Sequence, residues 1–177
     1  METAMTLRST LALGLGALVL AGTAGAAEAQ QRNRVDIRQA GQSHELSARQ
    51  QGYQNQLSIN QQGRHQFVQT IQDGLRNGVE VRQTGTANGA FVDQLGRLGE
   101  VVIRQQGYNN AASAVQTGTG NTVGVYQFGN NHSAVTTQTG NHNTLGVIQF
   151  GNGAHTAVHQ TGDNRNALVI QGSWVIK

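Results

Sequence analysis

The sequence predicts an all-β chain wound into a two-sheet parallel β-solenoid (β-helix), amyloid-like, of about thirteen 11-residue strand-turn units that form 22-residue coils. Three observations carry that expectation. Glutamine recurs at every eleventh position, at Gln39, Gln50, Gln61, Gln72, Gln83, Gln94, Gln105, Gln116, Gln127, Gln138, Gln149, Gln160 and Gln171, and glycine follows two places later from Gly41 to Gly162. Each unit holds two apolar positions that are next-but-one neighbours. Alternate units resemble each other more than adjacent ones do, as GVYQFGNN at 124–131 returns as GVIQFGNG at 146–153.

The segment 1–29 stands apart from the repeat. Arg8 leads into the apolar run LALGLGALVLAG at 11–22, and small residues follow with A-x-A signals at Ala24/Ala26 and Ala27/Ala29. That pattern predicts a secretory signal peptide over 1–29, cut after Ala29. The run is well short of the roughly 20 residues that span a bilayer. Residues 30–171 then form the repeat domain, and 172–177 a short C-terminal tail. Without Glu2, Arg8 and Glu28 the chain holds 11 basic and 7 acidic residues, a net charge of +4. The arginines are scattered rather than clustered, so no nucleic-acid patch is indicated.

Composition limits what can hold the chain together. Only 5% of residues are aromatic and 12% charged, and proline and cysteine are absent. A thick core and a disulfide framework are therefore both unexpected, and order has to come from repetition.

An 11-residue period also suits a right-handed coiled coil. The apolar pairs decide against it: Leu57 and Ile59, Val79 and Val81, Val101 and Ile103, Val123 and Val125, and Leu145 and Val147 are all two apart. Residues so spaced share one face of a strand but lie on nearly opposite sides of a helix. Asparagine stands six places before the glutamine at Asn33, Asn55, Asn77, Asn88, Asn110, Asn121 and Asn143, with the same parity. Each unit reads N-x-Φ-x-Φ-x-Q-x-G, a strand of about seven residues and a turn of about four.

Because the 22-residue echo outranks the 11-residue one, two strands make one coil and like strands stack on like. The aliphatic pairs then line a narrow dry core, each residue contributing about 1.5–3 kcal/mol when fully buried. Buried amides at its edges need partners. In parallel register each amide can donate to one neighbour and accept from the other, so glutamines and asparagines are expected to form polymer-spanning ladders. The last strand, ALVIQ at 167–171, is apolar and its tail too short to cover it. Both ends are expected to expose unpaired backbone, which permits end-to-end growth.

The unit seen in QQGYQNQLSINQ (50–61), QTGTGNTVGVYQ (116–127) and QTGNHNTLGVIQ (138–149) resembles the curlin repeat, over essentially all of residues 30–171. The resemblance implies an extracellular functional-amyloid (curli-type) fibre subunit, serving cell adhesion and biofilm matrix. Its implied partners are itself, a second curlin subunit, a curli-type outer-membrane secretion channel with accessory proteins, and host or abiotic surfaces. Family members comprise a major subunit and a minor, nucleating one, and both roles stay open. His44, Gln66, Gly99, His132, Ala154 and Arg165 replace asparagine, so that ladder is expected to be interrupted. The segment that follows the signal peptide in the family is nearly absent.

One outward column runs Arg38, Asn60, Arg82, Arg104, Tyr126, Ile148 and Ile170, basic first and apolar later. Stacked arginines repel, so the C-terminal half, 107–177, is expected to assemble more readily. Rival readings need features that are missing. Asp36, Asp73, Asp93 and Asp163 fall at unrelated repeat positions, which disfavours an enzyme. His132, His142, His155 and His159 form no stacked column and read as solvated, so no metal or other cofactor is expected. A monomeric secreted β-solenoid that binds carbohydrate or ice is the competing reading, and it would show a regular outward Thr-x-Thr row.

Overall fold

A computed structural model describes residues 6–12, 18–21 and 32–173, with backbone alone for the first two segments. Every regular element is a strand: β1 (Thr6–Ala12), β2 (Leu18–Ala21), β3 (Arg34–Gln42), β4 (Glu45–Tyr53), β5 (Gln56–Arg64), β6 (Phe67–Leu75), β7 (Gly78–Thr86), β8 (Gly89–Arg97), β9 (Glu100–Tyr108), β10 (Ala111–Thr119), β11 (Thr122–Asn130), β12 (Ser133–Asn141), β13 (Thr144–Asn152), β14 (His155–Thr161) and β15 (Asn166–Gly172). Odd-numbered strands form one parallel sheet and even-numbered strands the other. The chain is thus a two-sheet β-solenoid, and its 22-residue coil returns each strand to the place above its like, as Val101 above Val79 and Val123 above Val101.

From β3 onward the register never slips. Gln105 pairs with Gln83 below and Gln127 above, and Gly107 with Gly85 and Gly129. A parallel pair shifted by one residue would turn its apolar residues outward, so the repeat and the register enforce each other. Strands β1 and β2 lie inside the segment read as a signal peptide and pair with β3 and β4. Here the coil spacing is not kept: Leu11 pairs with Gln39, a wider interval than that between Gln39 and Gln61. The cleavage position after Ala29 and tail residues 174–177 lie outside the described residues.

The central strands run to nine residues, longer than the seven expected, because the repeated glycine remains paired inside the strand instead of forming the turn. Its φ is positive, +129° at Gly107, and a Cβ there would overlap the carbonyl oxygen of Gly129 one coil up. Glycine is required twice over, for its backbone angle and for the close approach of the next coil. The turn itself is short, as in Asn109 and Asn110 between β9 and β10. The first turn residue is left-handed, with φ between 52° and 58° at non-glycine residues such as Ser43, Arg76, Leu98 and Asn131.

The core is two residues wide from each sheet. The odd-strand sheet supplies Val35/Ile37, Leu57/Ile59, Val79/Val81, Val101/Ile103, Val123/Val125 and Leu145/Val147; the facing sheet supplies smaller residues such as Ala90/Val92 and Ala112/Ala114. A wide wall opposite a narrow one keeps a thin interior filled. Towards β14 and β15 the core opens, and Val158, Ala167 and Val169 are only partly buried.

Candidate assembly surface and amide columns

Each buried glutamine faces inward at the edge of the aliphatic core, where its amide must find partners in the protein. The structure sets Gln39, Gln61, Gln83, Gln105, Gln127, Gln149 and Gln171 in one column. Gln50, Gln72, Gln94, Gln116, Gln138 and Gln160 form the other. In every link the lower Nε2 donates to the upper Oε1, at 2.6 Å for Gln39 to Gln61 and 2.8 Å for Gln105 to Gln127. Direction is therefore uniform: each column has a donor end and an acceptor end.

The second amide hydrogen does something the sequence does not reveal. It donates across the core to the first carbonyl of a strand in the opposite sheet: Gln105 to Gly89 O at 2.9 Å, and Gln127 to Ala111 O at 2.8 Å. One side chain thus ties coil to coil and sheet to sheet. That role depends on which strand lies opposite, so spacing alone carries no signal for it.

The asparagines do not form the amide-to-amide ladder expected of them. Asn121 donates from Nδ2 to Thr117 O at 3.1 Å and to Gly140 O at 2.8 Å, while its Oδ1 accepts the backbone N–H of Asn143 at 3.0 Å. Asn55 and Asn77 do the same with Gln51 O and Gly74 O, and with Asp73 O and Gly96 O. Asn33, Asn110 and Asn143 each donate to the glycine carbonyl near the turn, those of Gly52, Gly129 and Gly162. Asn88 donates to Thr84 O and Gly107 O, and only here does one side chain of this asparagine column also accept from another, Asn110. A short side chain close to the turn meets backbone before it can reach the amide above it.

The column is interrupted, as expected, at Gly99 and Ala154, which carry no polar side chain, but His44, Gln66 and His132 keep part of it. His44 Nε2 contacts Ala40 O at 3.1 Å, Gln66 Nε2 donates to Gln62 O at 2.9 Å and Gly85 O at 3.2 Å, and His132 Nε2 contacts Phe128 O at 3.2 Å. His132 also accepts the Ala154 N–H at Nδ1, 3.1 Å away. The Nε2–H tautomer satisfies both contacts. His44 and His132 are buried, so the solvated reading of His132 is corrected, whereas His142, His155 and His159 are exposed. The longer or stiffer substitutes leave polar atoms over: Gln66 Oε1 and His44 Nδ1 are buried without a partner. Among the described residues no three His, Cys, Asp or Glu side chains gather as metal ligands.

The outer face of the odd-strand sheet changes character along its length. Arg82 and Arg104 do not simply repel: Glu80 lies 3.8 Å from one and 3.2 Å from the other, and Arg104 lies over the Tyr126 ring at 5.8 Å. Exposed pairs of this kind contribute little to stability, yet they offset the like charge of the column. Beyond them, Phe128, Leu168 and Ile170 are exposed apolar residues. Side-chain pairs at the turns add further links in this half, Asn109 with Asn131 and Asn130 with Asn152.

The curlin associated repeat matches residues 99–129 and 118–151, spanning β9 to β13. Over that stretch, 53 of the 177 residues, the chain is similar to the curlin associated repeat. A search of curated proteins and a search of solved structures returned no significant match. The same coil geometry continues unbroken on both sides of the curlin match.

Proposed function

We propose that this chain is the structural subunit of an extracellular curli-type fibre that serves cell adhesion and biofilm matrix. Residues 1–29 act as its signal peptide, residues 30–171 are the assembling domain, and 172–177 are a tail. The observation that carries the reading is the directional glutamine column, because such a column gains a link for each copy added to its end. Gln39 to Gln171, at the repeat positions named above, are its polymer-ladder residues, and Asn33 to Asn143 brace the turns beside them through glycine carbonyls. Export runs through a curli-type outer-membrane channel with accessory proteins, and the fibre meets host or abiotic surfaces. A second curlin subunit is its natural companion, this chain being either bulk subunit or nucleator.

Seeded polymerisation of residues 30–177 tests the proposal. Dye-binding fibres with a fibre reflection at about 4.7 Å are expected, and residues 107–177 should assemble faster than 30–106 because the exposed apolar face lies in the C-terminal half. Protein that stays monomeric for days in the presence of seeds would overturn the fibre reading and leave the monomeric binder. Acceleration of a second curlin without growth of its own marks a nucleator.

A further inference from the structure

From β3 on, the odd-strand sheet holds seven strands and the even-strand sheet six; counting β1 and β2, they hold eight and seven. Either way the number of strand units is odd. Each unit advances the chain by half a coil, so the last described strand is β15 in one sheet, while the next place in the winding lies in the other, above β14, where no described strand stands. A copy added in the same orientation would set its β3 on β15 and leave that place empty, a break of about 9.6 Å in one sheet at every junction.

We infer that successive subunits in the fibre are related by a half turn about the fibre axis, so that each sheet of one copy continues as the opposite sheet of the next. The inference rests on the fibre reading above. In this arrangement β3 of the incoming copy stacks on β14, β4 stacks on β15, and no place is skipped.

The ends of the molecule fit a half turn. Among the described residues, Gln39 and Gln50 have no donor to Oε1 at the first coil, while at the last coil neither Gln160 nor Gln171 has a glutamine above it to accept from Nε2. The half turn joins Gln160 to Gln39 and Gln171 to Gln50 of the incoming copy, with the donor direction kept. The core supplies a second, separate observation. In mid-molecule the two walls differ in width, Val101/Ile103 against Ala112/Ala114. At the C-terminal end they do not: Thr156/Val158 is close in size to Ala167/Val169, whereas at the first coil Ile37 still stands against the smaller Ala48. Walls that have become alike at the growing end accept either sheet of the neighbour.

Cysteine pairs read the orientation directly, since the chain has no cysteine of its own. With Gln160 over Gln39, exposed His159 neighbours exposed Arg38 of the incoming copy; in the untwisted arrangement Ile170 does. Fibres of residues 30–177 carrying His159→Cys with Arg38→Cys are treated with a short bis-maleimide, alongside fibres carrying Ile170→Cys with Arg38→Cys. Thr137→Cys with His159→Cys, neighbours in adjacent coils of one chain, controls for folding and reagent. The expected result is a ladder of covalent oligomers at least tenfold stronger for the first pair than for the second. The reverse preference, equal ladders, or no ladder from either pair in fibres whose control reacts would overturn the half turn while leaving the fibre intact. Absence of fibres would overturn the fibre reading and the half turn with it.

Discussion

The glutamine and asparagine columns flank the same core, in the same coils, and the chain treats them differently. Glutamine holds all thirteen of its positions, whereas asparagine holds seven and gives way to His44, Gln66, Gly99, His132, Ala154 and Arg165 at the others. The geometry explains the contrast. A glutamine is both donor and acceptor to its own kind, so removing one breaks the bonds of the coil below and the coil above. An asparagine bonds mainly to backbone, which is present whatever its neighbours are. Tolerance within one chain thus reports whether a repeated side chain depends on its neighbours' identity or only on their main chain.

The sharpest way to break that contrast is Gln105→Ala. It strands Gln127 Oε1 and removes the acceptor of Gln83 Nε2, both in the interior, and takes a second donor from the ladder-paired Gly89 carbonyl. At roughly 1–3 kcal/mol for each buried group left unpaired, partly relieved by relaxation, a loss of about 3–5 kcal/mol is expected. Guanidinium unfolding followed by far-UV circular dichroism measures it. Asn121→Ala, read the same way, should cost less, about 1–3 kcal/mol, because no other side chain loses a partner and the two freed carbonyls, of Thr117 and Gly140, are only part-buried. Equal losses for the two variants would erase the distinction between the columns. Gln66→Asn goes the other way. Gln66 Oε1 is buried without a donor, and the shorter amide places its oxygen where Asn55 and Asn121 accept the backbone N–H of the next coil. A gain of about 1 kcal/mol is expected, and a lower midpoint would show that the longer side chain is needed there.

Much of this architecture is legible in the sequence because the signals are periodic. Gln39 to Gln171 set the register, the 22-residue echo sets the coil, and Val101/Ile103 and their counterparts set the inward face. What the sequence does not carry depends on atoms brought together by winding. The cross-core bond of Gln105 to Gly89 requires knowing which strand end faces which. Residue type alone makes His132 look solvated, although an imidazole Nε2 reaches the same kind of carbonyl as an asparagine amide. The strands outrun the length that the repeat suggests because Gly107, whose φ suits a turn, stays paired with Gly129 inside the sheet. Arg82 and Arg104 look purely repulsive along their own column, and Glu80, which bridges them, belongs to the adjacent one.

The left-handed turn residue bears on the surface of the assembled object. Ser43, His65, Arg76, Leu98, Asn109 and His142 all hold it with nearly the same φ, and all are exposed. Hydroxyl, imidazole, guanidinium, isobutyl and carboxamide groups are accepted alike, so chemical identity is uncoupled from backbone shape there. Along a fibre these residues form two edge rows, one on each side, with steps of about 4.8 Å. Such rows are addressable: a group attached at one turn would be displayed at a fixed spacing along a rod, while the interior that sets the spacing stays untouched.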